Sequence, residues 1–364
     1  MANSKKGSGK KGLAEAAKKM QFRVSTRKAL EEAEEKKEAP LSLVTGASGR
    51  LGSYLVKALL EKGERVRVLH RQGSSAEYPE GVEVAEGDLA DKESLLRAVD
   101  GTEYVYHLAA LVSYTAPLEE LLDVNYRGTR NLLEACRSRA YRLKRFVFVS
   151  SISVYGKEID SLPANEGTEM QPTDNYGVSK MMAEQVVAQY GGKVPAAILR
   201  PAVIYGEGFD EAYVPVLKAL EGGKMQLIDG GKNVIPFVHV LDVVQAMLLA
   251  AKADRAGGNT YVIAGDERLT QKQVFEIACK YLGVQPPASG TSSGMLKFKL
   301  GIAKFFGKLS GSEPQMIGDY IDVLAADRQF DIAKAKAELG YAPRVKLEDG
   351  IREMVEYYRR KKVV

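Results

Sequence analysis

The amino-acid sequence predicts an α/β protein: a doubly wound parallel sheet with helices on both faces and a smaller C-terminal lobe. Three observations lead there. From residue 41 onward, short β-branched or aromatic runs alternate with stretches of helical spacing. Those stretches are long enough to carry the chain back between parallel strands. Each distinctive motif falls at the end of an expected strand, where ligands gather in such a sheet.

Taken in order, "LSLVTG" (41–46) is a strand that stops at glycine, and "RLGSYLVKALLEKG" (50–63) a helix closing on Gly63. "RVRVLH" (65–70) and "VEVAEGDL" (82–89) are strands, followed by the helix "DKESLLRAVDG" (91–101). "EYVYHLAA" (103–110) is a strand, and "EELLDVNYRGTRNLLEACRSRA" (119–140) a long helix. "RFVFVSSIS" (145–153) and "PAAILRPAVIYG" (195–206) are strands on either side of a helix that begins near Tyr176. Near-continuous apolar runs of this kind suit strands covered on both faces.

Composition narrows the function. At 364 residues the chain has length for a large core. Its two cysteines, Cys136 and Cys279, sit in apolar helical patterns without metal spacing, which fits buried thiols, a reducing compartment and a cytoplasmic location. His70, His107 and His239 are dispersed, so no histidine metal site is expected. No apolar run approaches the roughly 20 residues of a membrane span, and the first residues lack the apolar core of a secretory signal. The formal charge of +5 resides in residues 1–39, a Lys-, Gly- and Glu-rich extension read as a flexible tail or a docking helix for a partner. The near-neutral remainder gives no nucleic-acid surface.

"TGASGRLG" places Gly46, Gly49 and Gly52 between the first strand and first helix. Glycine serves where a turn is tight, where backbone approaches a pyrophosphate, and where helix meets strand closely. The helix N-terminus then presents unpaired N–H groups to phosphate. A dinucleotide is therefore expected on Gly46, Ser48, Gly49, Arg50, Leu51 and Gly52. Where an NAD site usually has Asp or Glu, this chain has His70 and Arg71, then Ser74 and Ser75. An arginine among hydroxyls suits a 2′-phosphate, so NADP(H) is expected over NAD(H). Asp88 and Leu89, in "GDL", either meet the adenine, or Asp88 caps the next helix.

With these residues in place, the chain resembles the extended short-chain dehydrogenases/reductases, the NAD-dependent epimerase/dehydratase superfamily. It is most similar to the branch of dihydroflavonol reductases and 3β-hydroxysteroid dehydrogenases. "TGASGRLG", "YHLAA", "DVNYRGTRNLLEA", "FVSSISVYG", "YGVSK", "LRPAVIYG" and "FDIAKAKAELGYAP" carry the resemblance in the family's order, over about residues 41–360. It implies a Rossmann-type fold with Tyr176 as acid/base, Lys180 lowering the phenol's pKa and bonding the nicotinamide ribose, Ser151 holding the reacting oxygen and Asn125 supporting the lysine. Positioned proton transfer contributes about 10²–10⁴-fold. Ala109, Ala110 and Pro201 complete the implied cofactor contacts. Dehydratases of the family carry an Asp–Glu pair where this chain has Ile152 and Ser153, and epimerases an Asn where it has Val203.

The expectation is an NADP(H)-dependent oxidoreductase reducing a ketone, or oxidising a secondary alcohol, of a moderately apolar small molecule. A nucleotide-sugar epimerase or reductase holding NAD tightly, and a non-catalytic dinucleotide-binding assembly subunit, stay open as alternatives. The domains expected are the tail (1–39), a cofactor domain (40–205 with about 236–265) and a substrate lobe (206–235 with 266–364). In that lobe, "MLKFKLGIAKFFGKL" (295–309) reads as an amphipathic lid or a peripheral membrane contact. A homodimer is compatible with the sequence. The repeated Tyr–Lys spacing in "EYYRRKK" (356–362) reads as a solvated helix end.

Overall fold

Seven strands form one wholly parallel sheet: β1 (Leu41–Thr45), β2 (Arg65–His70), β3 (Glu83–Glu86), β4 (Tyr104–His107), β5 (Arg145–Val149), β6 (Ala196–Pro201) and, last of the seven, Asn259–Ile263. The computed structural model describes residues 39–288, 290–292, 294–295 and 325–364. The tail expected at 1–39 and the amphipathic stretch 295–309 therefore lie almost wholly outside the described residues. Between β6 and the last strand come β7 (Val203–Tyr205), β8 (Leu227–Ile228) and β9 (Phe237–His239), so the last strand is β10, and the sheet order is β10-β6-β5-β4-β1-β2-β3. Order reverses at β1 and β4, the place where an open parallel sheet leaves a crevice at its carboxyl edge.

Helices cover both faces. They are α1 (Arg50–Glu61), α2 (Lys92–Val99), α3 (Leu118–Leu121), α4 (Thr129–Arg139), α5 (Asn175–Gln189), α6 (Asp210–Glu221), α7 (Val240–Lys252), α8 (Gln271–Leu282), α9 (Ala333–Leu339) and α10 (Leu347–Arg360). The period-2 alternation of the strands sorts their side chains. Val44, Tyr106 and Val147 pack with Leu55, Leu59 and Met247 of α1 and α7. Leu43, Val105 and Phe146 pack with Leu95, Leu132 and Val187 of α2, α4 and α5 on the opposite face. At about 25 cal/mol per Å² of apolar surface removed from water, these two layers dominate the folding free energy. A third cluster joins α6, α8 and α10 through Leu217, Leu220, Phe275, Ile351, Met354 and Tyr358.

Several elements differ from the sequence expectation. The run 195–206 is not one strand: β7 leaves the main sheet after Pro201 and pairs with β9. The helix expected at 119–140 is interrupted by a π-helical turn, Leu122–Gly128, and α3 and α4 lie on either side of it. β3 is four residues long, and the cap of α2 is Asp91, not Asp88. The C-terminal Tyr–Lys run is only half solvated, because α10 is amphipathic and turns Tyr358 fully into the third cluster. At the outer edge of β10, Glu166 Oε1 accepts from the Val262 amide (2.7 Å) and Lys334 Nζ donates to the Thr260 carbonyl (3.0 Å). Among the described residues no helix is long and apolar enough to cross a membrane.

Candidate active site

A cavity of about 900 Å³ opens at the carboxyl ends of β1, β4, β5 and β6. One end is built by the glycine turn. Gly46 has φ +71°, and a Cβ there would sit 2.7 Å from the Ala109 amide; a Cβ on Gly52 would sit 2.1 Å from the Gly46 carbonyl oxygen. Gly49 caps α1 with no side-chain acceptor, which leaves the first N–H groups of the helix facing open space. Gly46, Ser48, Gly49, Arg50, Leu51 and Gly52 all line the cavity, as do Arg71, Ser74, Asp88, Leu89, Ala109, Ala110 and Pro201.

Two of the expected cofactor contacts are placed differently. His70 is not a lining residue: its Nδ1 lies 3.2 Å from the Tyr78 hydroxyl, which also interacts with Ser48. Tyr78, which the sequence reading missed, thus buttresses the glycine turn. The Arg50 side chain reaches across the cavity mouth, Nε donating to the Gly208 carbonyl (2.9 Å) and Nη2 pairing with Glu211 (2.9 Å). The guanidinium is thus held toward Gly208 and Glu211 rather than back over the glycine turn. Asp88 Oδ1 accepts from the Ala90 amide (2.8 Å), which leaves its second oxygen for a ligand.

At the other end the reactive side chains converge. Ser151 follows β5 and caps a short 3₁₀ turn, Ile152–Tyr155; its Oγ accepts from the Ser153 amide (3.1 Å) and donates to Ser153 Oγ (3.0 Å). Its neighbour Ser150 lines the cavity with a buried hydroxyl that has no partner among the described residues. Tyr176 opens α5, whose N-cap Asp174 accepts from the Gly177 amide (2.7 Å). The phenol is 7 % exposed and meets Tyr114 edge-on, ring centroids 5.8 Å apart. Burial pushes its pKa well up, Tyr114 adds to this, and a hydrogen bond with Ser151 opposes it. The phenol is therefore protonated at neutral pH.

Lys180 is 2 % exposed; its Nζ donates to the Val149 carbonyl (2.7 Å) and lies 4.3 Å from the centre of the Phe148 ring. Burial lowers its pKa to about 7, against the attraction of Glu184. No hydrogen bond joins Lys180 to Tyr176. In this arrangement burial dominates the phenol's pKa. Asn125 does not line the cavity. From the π turn its amide holds the Leu111 backbone at both N–H (2.8 Å) and carbonyl (3.0 Å), and donates to Ser179 Oγ (2.9 Å). It orients the residue beside Lys180 and the strap after β4, not the lysine itself.

Other polar residues of the strand ends are structural. Arg200 pairs with Glu184, His239 caps α7 and Asp242 accepts from the Arg344 and Val345 amides. Much of the remaining wall is apolar, with Tyr205, Val216, Phe237, Phe275, Ile351 and Met354 in it, and Arg328 is among its charged residues. Sequence reasoning missed Val216, Phe275, Ile351 and Met354 because they come from α6, α8 and α10, which carry no motif, and missed Tyr205 and Phe237 because β7 and β9 pair with each other outside the main sheet. Among the described residues no group of His, Cys, Asp or Glu is placed to hold a metal.

Residues 42–264 match the model of the NAD dependent epimerase/dehydratase family. The chain belongs to that family. It is 29% identical to 2-alkyl-3-oxoalkanoate reductase of Stenotrophomonas maltophilia over 86% of this chain and 97% of that protein. It is 28% identical to 3-beta-hydroxysteroid dehydrogenase of Mycolicibacterium neoaurum, covering 87% and 90% respectively. Among solved structures it resembles UDP-glucose 4-epimerase of Thermotoga maritima with UDP-glucose (TM-score 0.71, 26% identity, 88% of this chain and 99% of that one). As a member of this family the chain is an NAD(P)-dependent enzyme with oxidoreductase or epimerase chemistry, and its sheet is of the Rossmann type.

Proposed function

We propose that this family member is an NADP(H)-dependent reductase of a ketone, or oxidant of a secondary alcohol, on a largely apolar small molecule. The observation that carries the reading is one cavity lined at one end by the glycine turn and at the other by Ser151, Tyr176 and Lys180 against an apolar wall. The glycine turn suits a dinucleotide: a Cβ would fill the cradle at Gly46 or Gly52, and α1 starts uncapped. Gly46 to Gly52, Asp88, Leu89, Ala109, Ala110, Lys180 and Pro201 would hold it, with Arg71 and Ser74 on a 2′-phosphate. When bound, the nicotinamide supplies or accepts the hydride.

The chain's own residues do the rest. Ser151 and Tyr176 hold the substrate oxygen, and Tyr176 delivers a proton to it during reduction or removes it during oxidation. Desolvation keeps the phenol protonated until charge develops on that oxygen. Lys180, behind the phenol on the same face of α5, stabilises the phenolate left after transfer. Asn125 positions the surrounding backbone. Ile152 and Ser153 supply no acid–base pair for eliminating water, which favours simple reduction over dehydration. We propose residues 40–205 with 236–265 as the cofactor domain and 206–235 with 266–364 as the substrate lobe.

Tyr176→Phe tests the reading. Turnover should fall by at least about 10²-fold while NADPH affinity stays within about twofold. Near-normal turnover would refute it, and NAD retained through purification would favour an epimerase.

A further inference from the structure

One charged residue in the cavity wall is left unexplained by this chemistry. Arg328 is 5 % exposed and lines the cavity. Its backbone is pinned: its amide donates to the Val234 carbonyl (3.1 Å), and the adjacent Asp327 carboxylate accepts from the Val234 amide (2.8 Å). Among the described residues its guanidinium makes no hydrogen bond and no ion pair, and its Nε is fully buried without a partner. Tyr114 and Asp174 are the groups whose fields reach it, and the Asp174 carboxylate is already engaged as the cap of α5. The other buried arginines have guanidinium partners: Arg200 has Glu184 and Tyr155, and Arg145, although its Nε is also unpartnered, donates from Nη2 to the Ala253 carbonyl. A buried cation left unpaired is costly, and such groups persist where a ligand completes them.

We infer that Arg328 anchors a carboxylate of the substrate, which makes that substrate an oxo acid or hydroxy acid with a hydrocarbon body. The inference rests on the proposed reductase reading and names its substrate class. Tyr114 touches both Tyr176 and the field of Arg328, so the anchor and the proton donor share one side of the cavity. The hydrocarbon body lies against Val216, Phe275 and Met354. A single guanidinium matches the single charge and planar fork of a carboxylate. A diphosphate would call for more cations, yet Arg50 is spent on Glu211, and Arg71 belongs to the far end beside β2.

Calorimetry on the full chain with NADP⁺ tests this, using decanoate, decanol and UDP as probes on wild type, Arg328→Leu and Arg328→Lys. Decanoate should bind wild type, lose about 10- to 100-fold in affinity in Arg328→Leu and recover part of it in Arg328→Lys. Decanol binding and NADP⁺ affinity should not change. Without ligand, Arg328→Leu should melt no lower than wild type, since it removes an unpaired buried charge. Equal decanoate affinity in wild type and Arg328→Leu, or no decanoate binding to wild type, overturns the anchor. So does a large fall in melting temperature with loss of NADP⁺ binding, which would mark Arg328 as structural. UDP bound by wild type and lost in Arg328→Leu would reassign the residue to a diphosphate. NADPH-dependent, Tyr176-dependent reduction of methyl 3-oxodecanoate separates the two readings: it tests the reductase chemistry independently of the carboxylate.

Discussion

Arg71 is exposed at the end of β2, beside Ser74 on the cavity rim, and no acidic residue of the rim lies at that turn. A 2′-phosphate would gain a charge-assisted fork there, whereas a 2′-hydroxyl would gain little. Arg71→Ala should therefore raise KM for NADPH by about 10-fold or more and leave KM for NADH within about twofold. Equal changes in steady-state kinetics would remove the basis for cofactor choice. Single positions were unevenly legible in the sequence. Gly46 and Gly52 could be read because only a missing side chain fits their contacts. Arg328 could not, because its meaning lies in the lack of a partner among the described residues, and partners are set by folding. Arg50 misled for a related reason: its neighbours in sequence are the glycine turn proposed for the dinucleotide, but its side chain is long enough to reach Glu211.

Along α5, Tyr176, Lys180 and Glu184 are one helical turn apart, so one face carries the proposed proton donor at its start and an anchoring carboxylate at its end. Glu184 receives Arg200 Nε and Nη2 (2.6–3.1 Å), while Arg200 Nη1 donates to Tyr155, whose hydroxyl donates to the Asn165 carbonyl. This network fastens α5 to β6 and to the turn after Ser151. Removing one partner would strand the other charge. Glu184→Ala should cost about 3–5 kcal/mol in urea unfolding, and adding Arg200→Met should restore much of it. Strict additivity of the two losses would show that the pair is not coupled. Strands and helices of the sheet were legible because their periods, 2 and 3.6, are written in every residue. The departure of β7 to β9 and the π turn were not, since both depend on which neighbour offers a better partner.

For the molecule as a whole, the buried histidine between β4 and α4 sets an acid limit. Thr129 spends its hydroxyl proton on the Asn125 carbonyl, so it accepts from His107 Nε2 (2.9 Å), and His107 Nδ1 accepts from Thr45 (2.7 Å). Both ring nitrogens are committed in the neutral form. Burial, then the Lys180 charge, lowers the pKa to about 3. A histidine depressed in this way favours folding above its unfolded pKa near 6.5, and that stability is lost as pH falls toward 3. The urea midpoint should drop through this window, and His107→Gln should flatten the drop in part, since His239 is lowered to about 4 by its own burial. An unchanged slope would exclude His107 as the titrating group. At this level the α/β class and the family were readable from seven ordered motifs, while the third cluster was obscured by the charged run that hides Tyr358. The two rims of the sheet have a further consequence, for behaviour in crowded solution. Open strand edges invite another chain to add on, which leads to aggregation. Here β10 has side chains of Glu166 and Lys334 on its outward amide and carbonyl. β3 is short, and begins and ends with glutamates. The sheet is thus guarded against growth at both ends, and this protection is independent of anything bound in the crevice at its centre.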